Sequence, residues 1–131
     1  MEPTKNGQKA DARLLKGQTG LQRVLNATGY SMAGLSVAFR GEAAFRQLVL
    51  LNLILIPLAC WLEVSRGERA LLVGVALLAL IVELLNSAIE AAIDRISMEL
   101  HPLSRQAKDM GSAAQFMALT LISVTWALVL L

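Results

Sequence analysis

From Ala70 to Val82 the chain runs thirteen residues without one polar side chain, and from Glu83 to Arg95 the same apolar spacing continues with polar residues set into it. At about 100° per residue, Glu83, Asn86, Ser87, Glu90 and Asp94 fall within an arc of roughly 100° on one helix face, while Leu84, Leu85, Ile89, Ala92 and Ile93 fill most of the remainder. A polar stripe that continues a membrane-spanning helix carries ionisable groups at a costly depth, and such groups are usually functional.

Two further apolar segments flank this one. Leu48 to Leu62 is interrupted by Asn52 and Pro57, and Ala113 to Leu131 carries Gln115 near its start. A bilayer crossing needs about 20 apolar residues, and only the last segment approaches that unaided. The other two reach it by extending into charged flanks, Glu42 to Arg46 and Glu83 to Arg95. The pattern predicts an all-α integral membrane fold with transmembrane helices over 42–62, 70–96 and 112–131. Composition agrees, because 56% hydrophobic and 17% charged residues with a mean hydropathy of +0.58 lie outside the range of ordinary water-soluble domains. One Cys and one His exclude an intrachain disulfide and any Cys/His metal cluster. A metal here would have to be a hard ion held by carboxylates.

Residues 1–18 are polar, with Lys5, Lys9, Arg13 and Lys16 against Glu2 and Asp11, and read as a disordered tail without the apolar stretch of a secretory signal. From Thr19 onward, Leu21, Val24, Leu25, Met32 and Leu35 recur at helical intervals opposite Gln22, Arg23, Asn26 and Tyr30. This predicts an amphipathic helix over 19–39, lying on the membrane surface or packed against the rest of a membrane domain that spans 19–131. Basic residues gather before the first span and between the last two, which by the positive-inside rule puts the N-terminus and the second loop in the cytoplasm. The net charge of +2 is mild, and its distribution suits anionic lipid rather than nucleic acid. Trp61 and Trp126 stand near the outward ends of their spans, where each is either lipid-facing with no further role or part of an interfacial belt.

If Ala70 marks the outer edge of the hydrocarbon, Glu83 lies ~20 Å inward and Glu90 ~30 Å inward, against a core ~30 Å thick. Glu83 is then just below the cytoplasmic boundary, where a carboxyl holds a proton more readily, as a general base must. Glu90 at the wet edge stays ionised and can hold a hard cation. The two are ~10 Å apart along the axis, too far to chelate one ion between them. Glu42 is the second ligand candidate, although its spacing equally suits an ion pair with Arg46. In the segment from His101 to Ser112, Lys108 and Arg105 can neutralise phosphate and Asp109 can orient a cation, or the segment is a positive-inside loop with a helix starting near Ser112. Neither a G-x-x-x-x-G-K-[ST] nor a G-x-G-x-x-G motif is present, so any phosphoryl transfer uses separate parts: a carboxylate base, a carboxylate-held Mg²⁺ and basic side chains.

Glu83-x-x-Asn86-Ser87-Ala88-Ile89-Glu90-x-x-Ile93-Asp94-Arg95, then Arg105-x-x-Lys108-Asp109-Met110-Gly111-Ser112-Ala113-Ala114, with Ala27 to Ser31 and Glu42 to Gln47 upstream, closely resembles the prokaryotic diacylglycerol kinase family of small integral membrane enzymes. The resemblance runs from about Gly20 to Leu131. It implies a homotrimer of three-span subunits in the inner membrane that phosphorylates diacylglycerol with MgATP. By motif position, Glu83 matches the catalytic base, and Glu42 and Glu90 match metal ligands at the nucleotide. Arg23, Tyr30, Glu99, His101, Lys108 and Asp109 match nucleotide-contacting positions; Ser31, Arg46, Asn86 and Ser112 match positions near the lipid or supporting the base. Leu48, Met32 and Leu100 depart from residues common in relatives, and no headgroup contact transfers to Leu48. Homologues also phosphorylate undecaprenol, so diacylglycerol and undecaprenol both stand as acceptors, and a small intramembrane proton or ion pathway is the reading from another class.

Overall fold

The structure, a computed structural model, describes residues 19–131, and the tail expected over 1–18 lies outside the described residues. Among those residues all regular structure is helical: α1 (Gly20–Gly41), α2 (Ala43–Trp61), α3 (Arg66–Ile96) and α4 (Pro102–Leu130). The described residues divide into two units, the first ending at Val37 and the second spanning Ala38–Leu131. Ala38 is the one buried residue of α1. The three helices of the second unit are each long and apolar enough to cross a membrane, and the protein is a multi-pass membrane protein.

Helix α3 packs against both α2 and α4. Its buried residues, Leu72, Val75, Ala76, Ala79, Glu83 and Asn86, recur at three- and four-residue intervals, so one face serves both as packing surface and as polar stripe. Leu48 and Ala59 from α2, with Ala118, Ile122 and Trp126 from α4, complete the core. Two polar groups tie the helices inside it. Asn52 Nδ2 donates to Leu48 O at 2.9 Å and to Ala76 O at 3.0 Å, joining α2 to α3. Trp126 Nε1 donates to Leu72 O at 3.3 Å. Trp126 is therefore a core residue rather than a belt residue, because a carbonyl of α3 stands where its indole N–H needs a partner. Trp61 is exposed. The large apolar side chains left uncovered, among them Leu53, Ile81, Leu85 and Phe116, suit contact with lipid.

The helix ends are set by capping. Glu42 is the extended N-cap residue of α2, directly after α1. At the far end of α2, Arg69 gives Nε to Ala59 O at 3.1 Å and Nη2 to Leu62 O at 3.0 Å, satisfying carbonyls that a helix terminus leaves open. Helix α3 starts at Arg66, four residues before the expected 70, because Ser65 is its N-cap. Ser65 Oγ accepts from Glu68 N at 3.1 Å and donates to Glu68 Oε1 at 3.0 Å. The larger difference is at α4, expected to begin at 112 and found from Pro102. Proline at the first helical position has its φ already set, and His101 Nδ1 accepts from Leu103 N at 3.1 Å as the cap. The polar stretch from Arg105 to Asp109 is thus helical, and the connection from α3 shortens to residues 97–101.

Candidate active site

Glu83 is 5% exposed, at the point in α3 where the apolar run ends. Among the described residues no hydrogen bond or ion pair reaches its carboxylate. The charges of Glu90 and Glu42 both act on it, that of Glu90 the more strongly. One chain therefore gathers three carboxylates of α3 and the α1–α2 junction into a single electrostatic neighbourhood. Glu42 and Glu90 are half-buried, and Glu42 does not cap its own helix with its side chain. The alternative ion pair between Glu42 and Arg46 does not form, because Arg46 Nη1 turns back to donate to Phe39 O at 2.8 Å and Arg40 O at 3.1 Å. Arg46 therefore secures the C-terminal carbonyls of α1 and so holds the elbow at which Glu42 stands.

Beyond the stripe, the ends of α3 and α4 and their connection enclose a cavity of about 510 Å³ lined by Asp94, Glu99, His101, Arg105, Lys108 and Asp109 among others. That volume is in the range that holds a nucleotide-sized ligand. Lys108 Nζ donates to Asp94 Oδ1 at 2.8 Å, which fixes an ammonium on the cavity wall. Glu99 lies in the connection, where its backbone N–H is held by Ser97 Oγ at 3.0 Å. His101, Lys108 and Asp109 come together here because α4 begins at Pro102 and presents them within its cap and first two turns.

Asn86, one turn beyond Glu83 on the same buried face, is 9% exposed, and its Oδ1 is buried without a partner, as are Ser87 Oγ and Gln115 Oε1. Ser112 is exposed on α4. Arg23, Tyr30 and Ser31 stand on α1 within the first unit, where Tyr30 is exposed and Ser31 Oγ donates to Ala27 O at 2.8 Å. Leu48 is buried in the core, which leaves it unavailable to a polar headgroup.

A hard divalent cation fits this donor set in a limited way. Among the described residues no three His, Cys, Asp or Glu side chains group closely enough to hold a metal together. Mg²⁺ needs fewer, being bound by one or two carboxylates with phosphate oxygens and water in the remaining positions. Glu42 and Glu90, whose charges both act on Glu83, are carboxylates of that kind. A through-membrane relay finds less support, since the α3 face beyond Val82 is closed by Leu72, Ala76 and Ala79, each fully buried.

Sequence reasoning did not single out Asp94 as the holder of Lys108, nor Ser97 and Ser104 as cavity residues. The signal for Asp94 was its place in the stripe; the other two carry none without the position of the helix start.

The profile of the family described as Prokaryotic diacylglycerol kinase matches residues 29–130. The chain is similar to a diacylglycerol kinase of Pseudomonas aeruginosa, 76% identical over 116 residues that cover 88% of this chain and 94% of that protein. It is 49% identical to a diacylglycerol kinase of Escherichia coli strain K12 over 112 residues, covering 86% and 92%. To one of Helicobacter pylori it is 44% identical over 107 residues, covering 82% and 84%.

Proposed function

The chain belongs to the prokaryotic diacylglycerol kinase family, and from that premise we propose that it transfers the γ-phosphate of MgATP to the free hydroxyl of diacylglycerol, giving phosphatidic acid. The observation that carries the assignment of roles is the burial of Glu83 at the end of the apolar run, beside two further carboxylates and one helical stretch from a polar cavity.

The donor enters the cavity between the ends of α3 and α4. Lys108, oriented by Asp94, and Arg105 offset the phosphate charge, and Glu99, His101 and Asp109 bind the rest of the nucleotide; Arg23 and Tyr30 are assigned to the nucleotide by their family positions. Glu42 and Glu90 would hold Mg²⁺, which when bound neutralises the charge of the transferring phosphoryl group. The lipid approaches sideways from the bilayer past Arg46 and Ser112, with Asn86 beside the base; Ser31 is assigned to the lipid by its family position. Glu83 takes the hydroxyl proton as the lipid oxygen bonds to the γ-phosphorus. The bond from that phosphorus to the bridging oxygen breaks, and ADP leaves with the electron pair.

The protein works in the inner membrane with its N-terminus and the 97–101 connection cytoplasmic, as the distribution of Lys and Arg supports. Residues 19–131 act as one membrane kinase domain. It assembles as a homotrimer. Ala88, Ala91, Ala92, Ala113 and Ala114 are all exposed in the single chain, and such small residues let neighbouring helices approach closely. Transfer of radiolabelled phosphate in mixed micelles, with diacylglycerol and undecaprenol offered in parallel, tests the reaction and its acceptor. Label on phosphatidic acid is the expected product; label on undecaprenol alone transfers the chemistry to the other acceptor, and label on neither overturns the proposal.

A further inference from the structure

We propose that Gly111 is a positioning residue for phosphoryl transfer: having no β-carbon, it leaves the space that the Asn86 carboxamide occupies one turn from Glu83, an inference that rests on the roles assigned to Glu83 and Asn86 above.

Gly111 is buried inside α4, in its third turn, and no described glycine has a positive φ. Backbone conformation therefore does not demand glycine there, and alanine would favour the helix. Space does demand it. A β-carbon built at Gly111 would overlap Asn86 Oδ1 and stand 3.1 Å from Asn86 Cγ and 3.9 Å from its Cβ. At each of the other described glycines, Gly20, Gly29, Gly34, Gly41, Gly67 and Gly74, nothing lies within 4 Å of such an atom.

The atom in the way is the far end of a side chain, so a methyl group would displace the carboxamide before it separated the helices. Nothing at Oδ1 resists that displacement, since the oxygen is buried with no hydrogen-bond partner. Shape, rather than a hydrogen bond to that oxygen, keeps Asn86 where it is. A shift of the carboxamide by about an ångström changes the polar surroundings of Glu83 and of the hydroxyl beside it, and misplacements of that size cost about 100-fold in rate. Gly111 touches neither substrate nor base; it acts through Asn86.

The test uses the full-length protein in mixed micelles with diacylglycerol, comparing Gly111→Ala, Asn86→Ala and the double variant. Gly111→Ala is expected to lower kcat by roughly tenfold or more, with KM for MgATP and the thermal unfolding midpoint held near wild type. In the Asn86→Ala background the same change is expected to add nothing further, because the group it displaces is gone. Wild-type kcat for Gly111→Ala beside an impaired Asn86→Ala overturns the role of Gly111 alone. Wild-type kcat for Asn86→Ala overturns the assignment of Asn86 and the inference with it. Should Gly111→Ala fail to fold, folding of the double variant upholds the clash, whereas failure of both places the constraint between the helix backbones and overturns the proposal.

Discussion

Lys108 Nζ on α4 lies 2.8 Å from Asp94 Oδ1 on α3, a bridge between the two helices that the 97–101 connection joins. With side chains 43% and 44% exposed, the pair contributes little to stability, as solvated ion pairs do. Its effect is geometric, because it keeps one cation aimed along the cavity wall. Asp94→Asn is expected to raise KM for MgATP by roughly tenfold with the thermal unfolding midpoint nearly unchanged. Initial rates against MgATP concentration, read beside a thermal melt, check this; a lowered midpoint with unchanged KM would make the bridge structural.

Glu83→Gln keeps the shape of the side chain and removes its basicity. Loss of a general base predicts a kcat lower by about 100- to 10,000-fold, with assembly and unfolding midpoint preserved. Near-normal turnover by this variant would remove Glu83 from the reaction.

Glu42→Gln and Glu90→Gln each take one anionic oxygen ligand from the proposed Mg²⁺ site. Each is expected to move the Mg²⁺ dependence of activity to higher concentration, by roughly 10- to 100-fold, with activity returning in part at excess metal. An unchanged titration for either variant excludes that residue as a ligand.

Asn52→Ala breaks the bond by which α2 holds α3 at mid-core, to Ala76 O, together with the bond to Leu48 O within α2. A loss of about 1–2 kcal/mol of stability is expected, the scale of an interhelical hydrogen bond in apolar surroundings plus the packing removed with it. Denaturant titration in detergent measures the loss, and kcat per folded protein should be unchanged, since Asn52 touches nothing in the site.

The three spans and the polar stripe were legible because a membrane restricts the options: spanning apolar segments must be helical, and a carboxylate such as Glu83 in one of them needs a reason. What was not legible followed from reading helix starts off hydropathy. Helix α4 begins at Pro102 for a capping reason and α3 at Arg66 for another, and both signals, His101-Pro102 and Ser65-x-x-Glu68, lie in polar stretches that a search for apolar runs passes over. With the helix start displaced by ten residues, the cavity around Lys108 read as a loop. The match of Arg46 to the family's lipid-facing positions gave no sign of its bonds to Phe39 and Arg40, because a contact between neighbouring elements has no periodicity. The core position of Trp126 is illegible for the same reason, since nothing local announces the carbonyl of Leu72.

Helix α3 has 31 residues, a length of ~46 Å, which exceeds the ~30 Å of a bilayer's oily interior. Because base and cavity ride on this one rod, the plane of the reaction is fixed against the lipid like a mark on a gauge. Longer acyl chains would submerge Glu90 and Asp94, shorter ones would flood Glu83, and turnover should therefore peak at one membrane thickness.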